Sequence, residues 1–594
     1  MNNSLKVWEQ IVQSYETSDV SLLNEQMRDA YGISNFFKDS EEVRFWKESY
    51  KDGELQVGIR EFGDFQTPED LADRVCKVLL KKGISPAVLI EPTFGKGNFI
   101  RAALQNFEEI DQIYGVEIQK QYEIYFKKFI LENNPVKFLG KDKLTMEIHQ
   151  DDFFTHTFPE HLLEGEGEVL VLGNPPWITV AELSTLSSAN MPEKSNFKKY
   201  SGLDAITGKS NFDLSEYIIT QLLTLLNKTK QGTLAMLCKN SIAKNIVHSL
   251  PNQDWNITTL ELYNFDAKKE FDVATDASLF LVRLGEKGKG PVNTCDVYSL
   301  SDPDARMKSF GWVNQKFVSD VESYELSAAI DNVSPLVWRS GVKHDCSKIM
   351  ELTVTEEGKL LNGFKEYADI EETDVYNLLK SSDLKKETIP NKTRKKVIIT
   401  QRKIGQDTLY IKDESPNLWK YLQDNRGYLD KRKSSIYKGK PDFSIFGIGD
   451  YSFAPYKVAI SGMYKKSNFS LVMPINNKPV MLDDTCYFLS FTKYLDAVFT
   501  LLIVNSPIVQ AFLQSLVFID TQRPYTKDTL MRIDLIEVSS QLTLDDLLDY
   551  AKGFDIHIPF GVSEEDYADY KQRLAANPDT FFTGEADSAN IQEG

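Results

Sequence analysis

Asn174, Pro175, Pro176 and Trp177 follow directly on the apolar run EVLVLG. Two prolines after a buried run fix the backbone and remove two amide donors, so carbonyl oxygens are left to accept hydrogen bonds from a ligand. The Asn174 side chain adds a further carbonyl, and Trp177 a wide π face. Together they suit a planar base that carries an exocyclic amino group. The Asn174 side-chain oxygen and the Pro175 carbonyl would accept its two N–H hydrogens. That keeps the nitrogen lone pair out of ring conjugation and directs it at an electrophile, with Trp177 stacked on the base. A second cluster begins where the run AVLIE (87–91) ends in Glu91, followed by Pro92 and the turn Gly95-Lys96-Gly97. Glycines at a strand's C-terminal end let a ligand approach the backbone. The dinucleotide fingerprint would need another glycine at 100, where Ile100 stands, so a pyrophosphate cradle is not indicated. Glu117 ends the next apolar run, and a carboxylate there can accept both hydrogen bonds of a ribose diol. A third run ends in EIHQDDFF (147–154), where an acid followed by an aromatic can bond an adenine amino group and stack on its ring.

These residues need a scaffold that brings strand ends together. The runs at 87–91, 112–118, 168–174 and 232–238 are continuously apolar and of strand length. Between them lie helix-like stretches, among them 70–83 and 214–228. Strands buried on both faces and separated by helices predict a parallel α/β sheet. The stretch 277–290 reads as a last strand entering a Gly/Lys linker, which sets a boundary near 290. Residues 1–60 read as a helical arm, with Trp8, Ile11, Val12 and Tyr15 at helical spacing. From 346 to 540 short aromatic-rich strands alternate with Gly, Asn, Pro and Lys turns, as in 442–474, which predicts a β-rich or α+β domain. Residues 291–345 are left as a connecting region, and 541–594 as a helical extension ending in a frayed tail.

Composition narrows the function classes. With 42% hydrophobic and 26% charged residues, the chain is an ordinary globular protein rather than a disordered scaffold or a disulfide-stapled module. Its five cysteines include no C-x-x-C pair, which argues against a zinc ribbon and fits a reducing cytoplasm. No metal site is expected. The N-terminus lacks a signal-peptide core. The most apolar stretch, 497–519, is broken by Asn505, Ser506, Pro507 and Gln510, so no membrane span is expected. A net charge of −19 taken whole argues against a nucleic-acid partner. Locally, 383–466 holds 19 Lys and Arg against 9 Asp and Glu, one basic island in an acidic chain.

The order of these motifs resembles that of class I S-adenosylmethionine-dependent amino-methyltransferases, and more narrowly the gamma-type N6-adenine DNA methyltransferases of restriction–modification systems. GDFQTPEDLADRV (63–75) is similar to their first motif, which implies that Thr67 and Pro68 close over the methionine part of the cofactor. EPTFGKG (91–97) resembles their glycine loop. By that resemblance Glu91, Pro92, Gly95 and Gly97 bind the cofactor, with Glu91 near its amino group. Glu117 matches the ribose-binding acid. Asp152 and Phe153 match the pair that holds the cofactor adenine, with Asp151 as the alternative register. NPPW (174–177) matches the catalytic motif, and KSNFDLSEYIITQLL (209–223) the helix after it. FDVATDASLFLV (271–282) resembles a late hairpin whose aromatic packs on the flipped base, assigned to Phe271 with Phe265 as the alternative. Two features depart from the simplest members. One is the polar 178–208 segment with Lys194, Lys198 and Lys199, read as a lid or a DNA-contacting loop; the other is the arm before residue 60.

The resemblance implies a Rossmann-like methyltransferase sheet over 61–290 and an α+β or β-rich target-recognition domain over 346–540. It implies S-adenosyl-L-methionine as cofactor, double-stranded DNA as partner, a separate restriction endonuclease or other defence-system subunit as a companion chain, and a prokaryotic cytoplasmic setting. A base inside a duplex must be extruded before its amine can react. The basic island then gains a reason: Lys395, Lys396, Arg402, Lys431, Arg432, Lys433 and Lys438, with MYKK (463–466), would neutralise phosphates. Competing readings are an RNA-adenine or protein-glutamine methyltransferase, or a DNA-binding specificity subunit with an idle methyltransferase fold. An N4-cytosine target shares the exocyclic-amine chemistry and stays open.

Overall fold

The computed structural model describes residues 19–49, 66–133, 144–179, 213–285, 292–385, 393–518 and 523–583. Trp8, Ile11, Val12 and Tyr15 lie outside the described residues, as do 63–65, the lysines at 194, 198 and 199, the start of the 209–223 stretch, 386–392 and the final tail. The chain forms two compact units, Met1–Phe317 and Val318–Gly594.

The first unit is built on a mixed sheet. In chain order its strands are β1 (Ile33–Ser34), β2 (Pro86–Glu91), β3 (Gln112–Glu117), β4 (Thr145–Gln150), β5 (Glu168–Gly173), β6 (Gly232–Lys239), β7 (Ile257–Phe265), β8 (Ala277–Leu284), β9 (Thr294–Ser299), β10 (Lys308–Val313) and β11 (Lys316–Val318). Their spatial order is β1-β4-β3-β2-β5-β6-β8-β7-β9-β10-β11. β4, β3, β2, β5 and β6 run parallel, and β8 inserts antiparallel between β6 and β7. All six residues of β5 are buried, as helices on both faces require. This is the α/β sheet with a parallel core that the apolar runs predict. The chain leaves β4 at one side of β2 and returns as β5 on the other, so the crevice beyond the C-terminal ends of β2 and β5 is the topological switch point.

Two parts of this unit differ from the sequence expectation. The helical arm is not an appendage. Its helices Val20–Tyr31 and Ser40–Ser49 bury Leu23, Met27, Tyr31 and Trp46 in the same core as the sheet, and the segment between them adds Phe36. Between them β1 pairs with β4, Ile33 opposite Met146. A further tie is ionic: the buried Lys127 ammonium, on the helix Lys120–Asn133, lies 2.8 Å from Glu42 and also bonds Glu123. The unit boundary also falls at 317 rather than near 290, because β9 pairs parallel with β7 and carries β10 beside it. A Gly/Lys segment here separates strands, not domains.

The second unit holds two sheets. The first runs β14 (Leu360–Leu361), β13 (Glu351–Val354), β16 (Lys395–Ile398), β15 (Val375–Leu379), β19 (Met481–Leu482). The second runs β12 (Arg339–Ser340), β20 (Cys486–Phe491), β17 (Tyr456–Ser461), β18 (Phe469–Val472). The apolar helices Tyr494–Val504 and Pro507–Leu516 meet at 58°, and no single helix among the described residues is long and apolar enough to cross a membrane. The C-terminal helix Glu564–Ala576 helps to cover them. Tyr570 hydroxyl meets Thr500 Oγ1 at 2.8 Å, and Arg573 grips the buried Asp496 at 2.6 and 2.9 Å. The helix Glu564–Ala576 is therefore part of this core rather than an extension.

β17 carries one anomaly. Lys457 is 1% exposed, and its ammonium donates to the Ala454 carbonyl at 2.8 Å with no carboxylate partner among the described residues. Burial alone lowers its pKa from 10.5 to about 7. Below that value the charge is held in both folded and unfolded states and the burial penalty is complete. Between about 7 and 10.5 the unfolded chain keeps a proton that the folded unit has released, so stability rises with pH across that window. Lys457→Met is expected to stabilise the second unit at neutral pH by on the order of a few kcal/mol. It should also flatten the pH dependence. Denaturant titrations of both proteins across the window check this.

Candidate active site

The site assembles at the switch point from four loops. β2 ends in Glu91, which is 2% exposed, and its Oε2 accepts the Ile100 amide at 3.1 Å. Ile100 lies in the first turn of the helix Asn98–Asn106, where amides lack partners and a carboxylate is favourable. Glu117, at the end of β3, accepts the Gly95 and Gln119 amides, each at 2.8 Å. The two carboxylates thus hold the glycine loop from both sides. Ahead of the next helix, Gln66 Oε1 accepts the Lys96 amide at 3.0 Å, and Asn98 Nδ2 donates to the Thr67 carbonyl at 2.7 Å.

The glycines also answer to the protein's own packing. Gly95 and Gly97 have φ of +53° and +74°, a region that side chains disfavour. A Cβ on Gly95 would meet Gln66, and one on Gly97 would overlap the Phe126 ring. Protein packing therefore already requires them, before any ligand approaches.

One cavity joins Gln66, Thr67, Glu91, Gly95, Glu117, Asn174 and Pro176; Thr93, Asn98 and Tyr122 also line it. The predicted residues Thr67, Glu91, Gly95, Glu117, Asn174 and Pro176 are thus brought together. Pro68 caps the helix Glu69–Lys81 beside them, and Pro92 and Pro175 lie next to lining residues in the chain. Asp152 and Phe153 are not among the lining residues. Asp152 accepts the Phe154 amide at 3.0 Å, and Phe153 packs edge-on to Phe154. Their loop is pinned by His156, whose ring lies 2.8 Å from both the Tyr114 hydroxyl and Asp151. Gln66, Thr93 and Asn98 were not singled out from sequence, because single polar residues near a turn carry no pattern.

The loop after β5 is held by residues that sequence reading did not assign. Ser215 Oγ donates to the Pro176 carbonyl at 2.7 Å, and Lys239 Nζ lies 3.3 Å from the Trp177 carbonyl and 2.7 Å from Asp213. A polar Lys239 ending the otherwise apolar β6 was the available signal. Trp177 is 6% exposed and belongs to the hydrophobic core, with its indole N–H toward the Leu237 carbonyl. Phe271 stands edge-on to it at 5.3 Å, and Phe265 lies 6.1 Å from Phe271. Phe271 is thus a ring against Trp177.

In the second unit the predicted cations divide. Arg432 is a strut: it donates to the Leu429 and Ser444 carbonyls at 2.8 and 2.7 Å and lies 3.8 Å over the Tyr437 ring. Two of its three side-chain nitrogens, Nε and Nη1, are thus engaged within the unit. Lys395 is half-buried and bonds Thr353 at 3.0 Å, Lys396 is half-buried, and Arg402 lies over Phe453. Lys431, Lys433 and Lys438 are exposed.

Two features of the cavity fit a ligand that brings an ammonium and hydroxyl groups. Thr93 Oγ1 is buried with no hydrogen-bond partner among the described residues. Burial pushes the Glu91 carboxyl well above its usual range, opposed by the Ile100 amide and reinforced by the Glu117 charge. A raised carboxyl pKa gives stability that is complete below the unfolded value of 4.5 and is lost as pH rises through the folded value. Glu91→Gln is therefore expected to raise the thermal midpoint of the ligand-free protein at about pH 8, by about 2–4 °C per kcal/mol recovered. The advantage should vanish on acidification, as scanning calorimetry across pH would show.

No family model matches the chain. The type II methyltransferase M.NspV of Nostoc sp. (strain ATCC 29411 / PCC 7524) is 39% identical over 485 residues, which cover 82% of this chain and 98% of M.NspV. Among solved structures, the type IIG restriction endonuclease BpuSI is similar over 93% of this chain and 68% of that one, at 13% identity and a TM-score of 0.32. The type I restriction–modification methyltransferase subunit from Streptococcus thermophilus is similar over 49% and 61%, at 13% identity and a TM-score of 0.28. Those structural likenesses are slight, and the assignment rests on the sequence relative. Its identity extends over nearly its whole length, so the chain belongs to the type II restriction–modification methyltransferases, with S-adenosylmethionine as cofactor.

Proposed function

We propose that the protein methylates the exocyclic N6 amine of an adenine extruded from double-stranded DNA, at a site chosen by the second unit, in a prokaryotic cytoplasm. The supporting observation is that Asn174 and Pro176, at the end of β5, share one cavity with Glu91 and Glu117. S-adenosylmethionine supplies an electrophilic methyl group there. The chain supplies position. Glu91 lies where it can pair with the methionine ammonium, Thr93 where it can bond a polar atom, and Glu117 where its remaining lone pairs can accept a ribose diol. Thr67 and Pro68 border that end. Asp152 and Phe153 are assigned to the cofactor adenine, on the loop that His156 pins.

For the substrate, the clamp on the catalytic loop matters most. The Pro176 and Trp177 carbonyls are engaged by Ser215 and Lys239, whereas no described residue engages the Pro175 carbonyl. The Asn174 side-chain oxygen and the Pro175 carbonyl are the acceptor pair for the two amine hydrogens. With a direct transfer, little acid–base chemistry is needed, and orientation supplies most of the rate. Trp177 and Phe271 form the aromatic side of the base pocket. A companion endonuclease on a separate chain completes the reading.

Expression in a methylation-free bacterial host followed by modification-sensitive long-read sequencing tests the proposal. N6-methyladenine at one short motif is expected; N4-methylcytosine or no modified base would overturn it. Asn174→Ala should lower turnover by orders of magnitude while cofactor affinity, read by calorimetry, stays near wild type. Trp177→Ala would also open a core cavity costing about 3–5 kcal/mol, so Trp177→Phe is the informative change. It should keep the fold and lower affinity for the extruded base by about 1–3 kcal/mol or less.

A further inference from the structure

The second unit contains a cavity of about 1050 Å³ that lies outside the site just described. It exceeds the usual volume of a small-molecule pocket. Lys385, Lys465 and Lys466 line it, and all three are exposed and form no ion pair with a described residue. Three unneutralised lysines around one opening, in a chain of net charge −19, favour a polyanion.

Four amide side chains also line the opening, and they divide into two kinds. Asn505 accepts the Phe469 amide at 3.2 Å and donates to the Phe469 carbonyl at 3.1 Å. Gln510 donates to the Val504 carbonyl at 3.0 Å and accepts from Ser467 Oγ. Tyr525 hydroxyl reaches the Lys465 carbonyl at 3.3 Å. Asn505 and Tyr525 hold the backbone at 469 and 465, and Gln510 fixes the Ser467 side chain. Asn468 and Gln514 have no such duty. The Asn468 Nδ2 is shielded from solvent with no acceptor among the described residues, and Gln514 is exposed with its amide unengaged by any of them. A shielded amide donor without an acceptor is costly and calls for an external partner.

We infer that this opening is the base-reading groove for the target duplex, with Asn468 and Gln514 contacting base edges and Lys385, Lys465 and Lys466 the flanking phosphates. The inference rests on the DNA reading above and deepens it. An amide on a rigid backbone presents a donor and an acceptor together, the pattern that matches adenine N6 and N7 in the major groove. An acidic peptide would satisfy the lysines but offers no repeated planar edge for two amides. Part of the basic island is then scaffold: Arg432 braces the unit, and the phosphate contacts lie at 385 and 465–466.

Full-length protein tests this. Lys465→Gln with Lys466→Gln should weaken binding to every duplex and reduce the salt slope, log Kd against log salt, by about 2. Gln514→Ala and Asn468→Asp should leave cofactor affinity unchanged. Each should relax or alter the methylated motif, lowering discrimination at one base pair by on the order of 10- to 100-fold. Gln514 is exposed, so that variant carries the test if Asn468→Asp fails to fold. An unchanged motif in Gln514→Ala together with an unchanged salt slope in the lysine pair would overturn the groove, while a wild-type motif would leave the methyltransferase reading intact. Wild-type protein that modifies no DNA would overturn both.

Discussion

Two carboxylates at the ends of adjacent strands hold the turn between them by its backbone amides. Glu91 takes the Ile100 amide and Glu117 the Gly95 amide, so two carboxyl groups face one cavity. Holding both ionised without a cation is costly. The cost is visible in Glu91, whose ionisation burial opposes and the Glu117 charge opposes further. The strand order that places β2 beside both β3 and β5 makes this proximity unavoidable. The catalytic loop then follows from the same geometry, because β5 ends one strand away and delivers Asn174 to the same cavity. The site is therefore a consequence of the sheet and of one electrostatic debt left for a ligand to settle.

Much of this was legible in sequence, for identifiable reasons. Parallel strands buried on both faces are continuous apolar runs, so β2, β3, β5 and β6 stood out, and their terminal Glu91, Glu117 and Asn174 stood out with them. What could not be read was anything depending on a partner distant in sequence. β1 has two residues and no pattern; only its pairing with β4 makes it a strand. Ser215 and Lys239 gain their role because β6 and the helix after Asp213 converge on the Pro176–Trp177 carbonyls. Trp177 offered a π face on paper, yet the fold uses much of it as core. At Gly95 and Gly97 the fold adds a reason that sequence could not show: a side chain there would meet Gln66 or Phe126.

The second unit shows why charge counted along a chain is a poor map of a surface. Within the basic island, Arg432 spends its donors on carbonyls, Lys395 meets a threonine, and Lys457 is sealed beneath β17. Sequence counts each as one positive charge available to a partner. In the fold they range from fully solvated to enclosed, and a cation whose hydrogen bonds are used keeps its charge but has fewer donors left for a phosphate. Aromatic residues interleaved with these cations behave alike: Tyr437 and Phe453 lie beneath guanidinium groups of the unit itself.

The buried contact of Lys127 with Glu42 and Glu123 bears on how such enzymes can be recombined. A module cut near residue 61 would carry Lys127 and Glu123 but leave Glu42 behind, together with the Trp46 and Phe36 side chains that roof the same helix. The severed piece would present a wetted apolar groove along the edge of β4. Phe126, which fills the face of Gly97, sits on the helix so exposed. Shuffling of catalytic and recognition parts between relatives therefore has a natural seam after β11, whereas residues 19–49 must travel with the catalytic half as an inseparable graft.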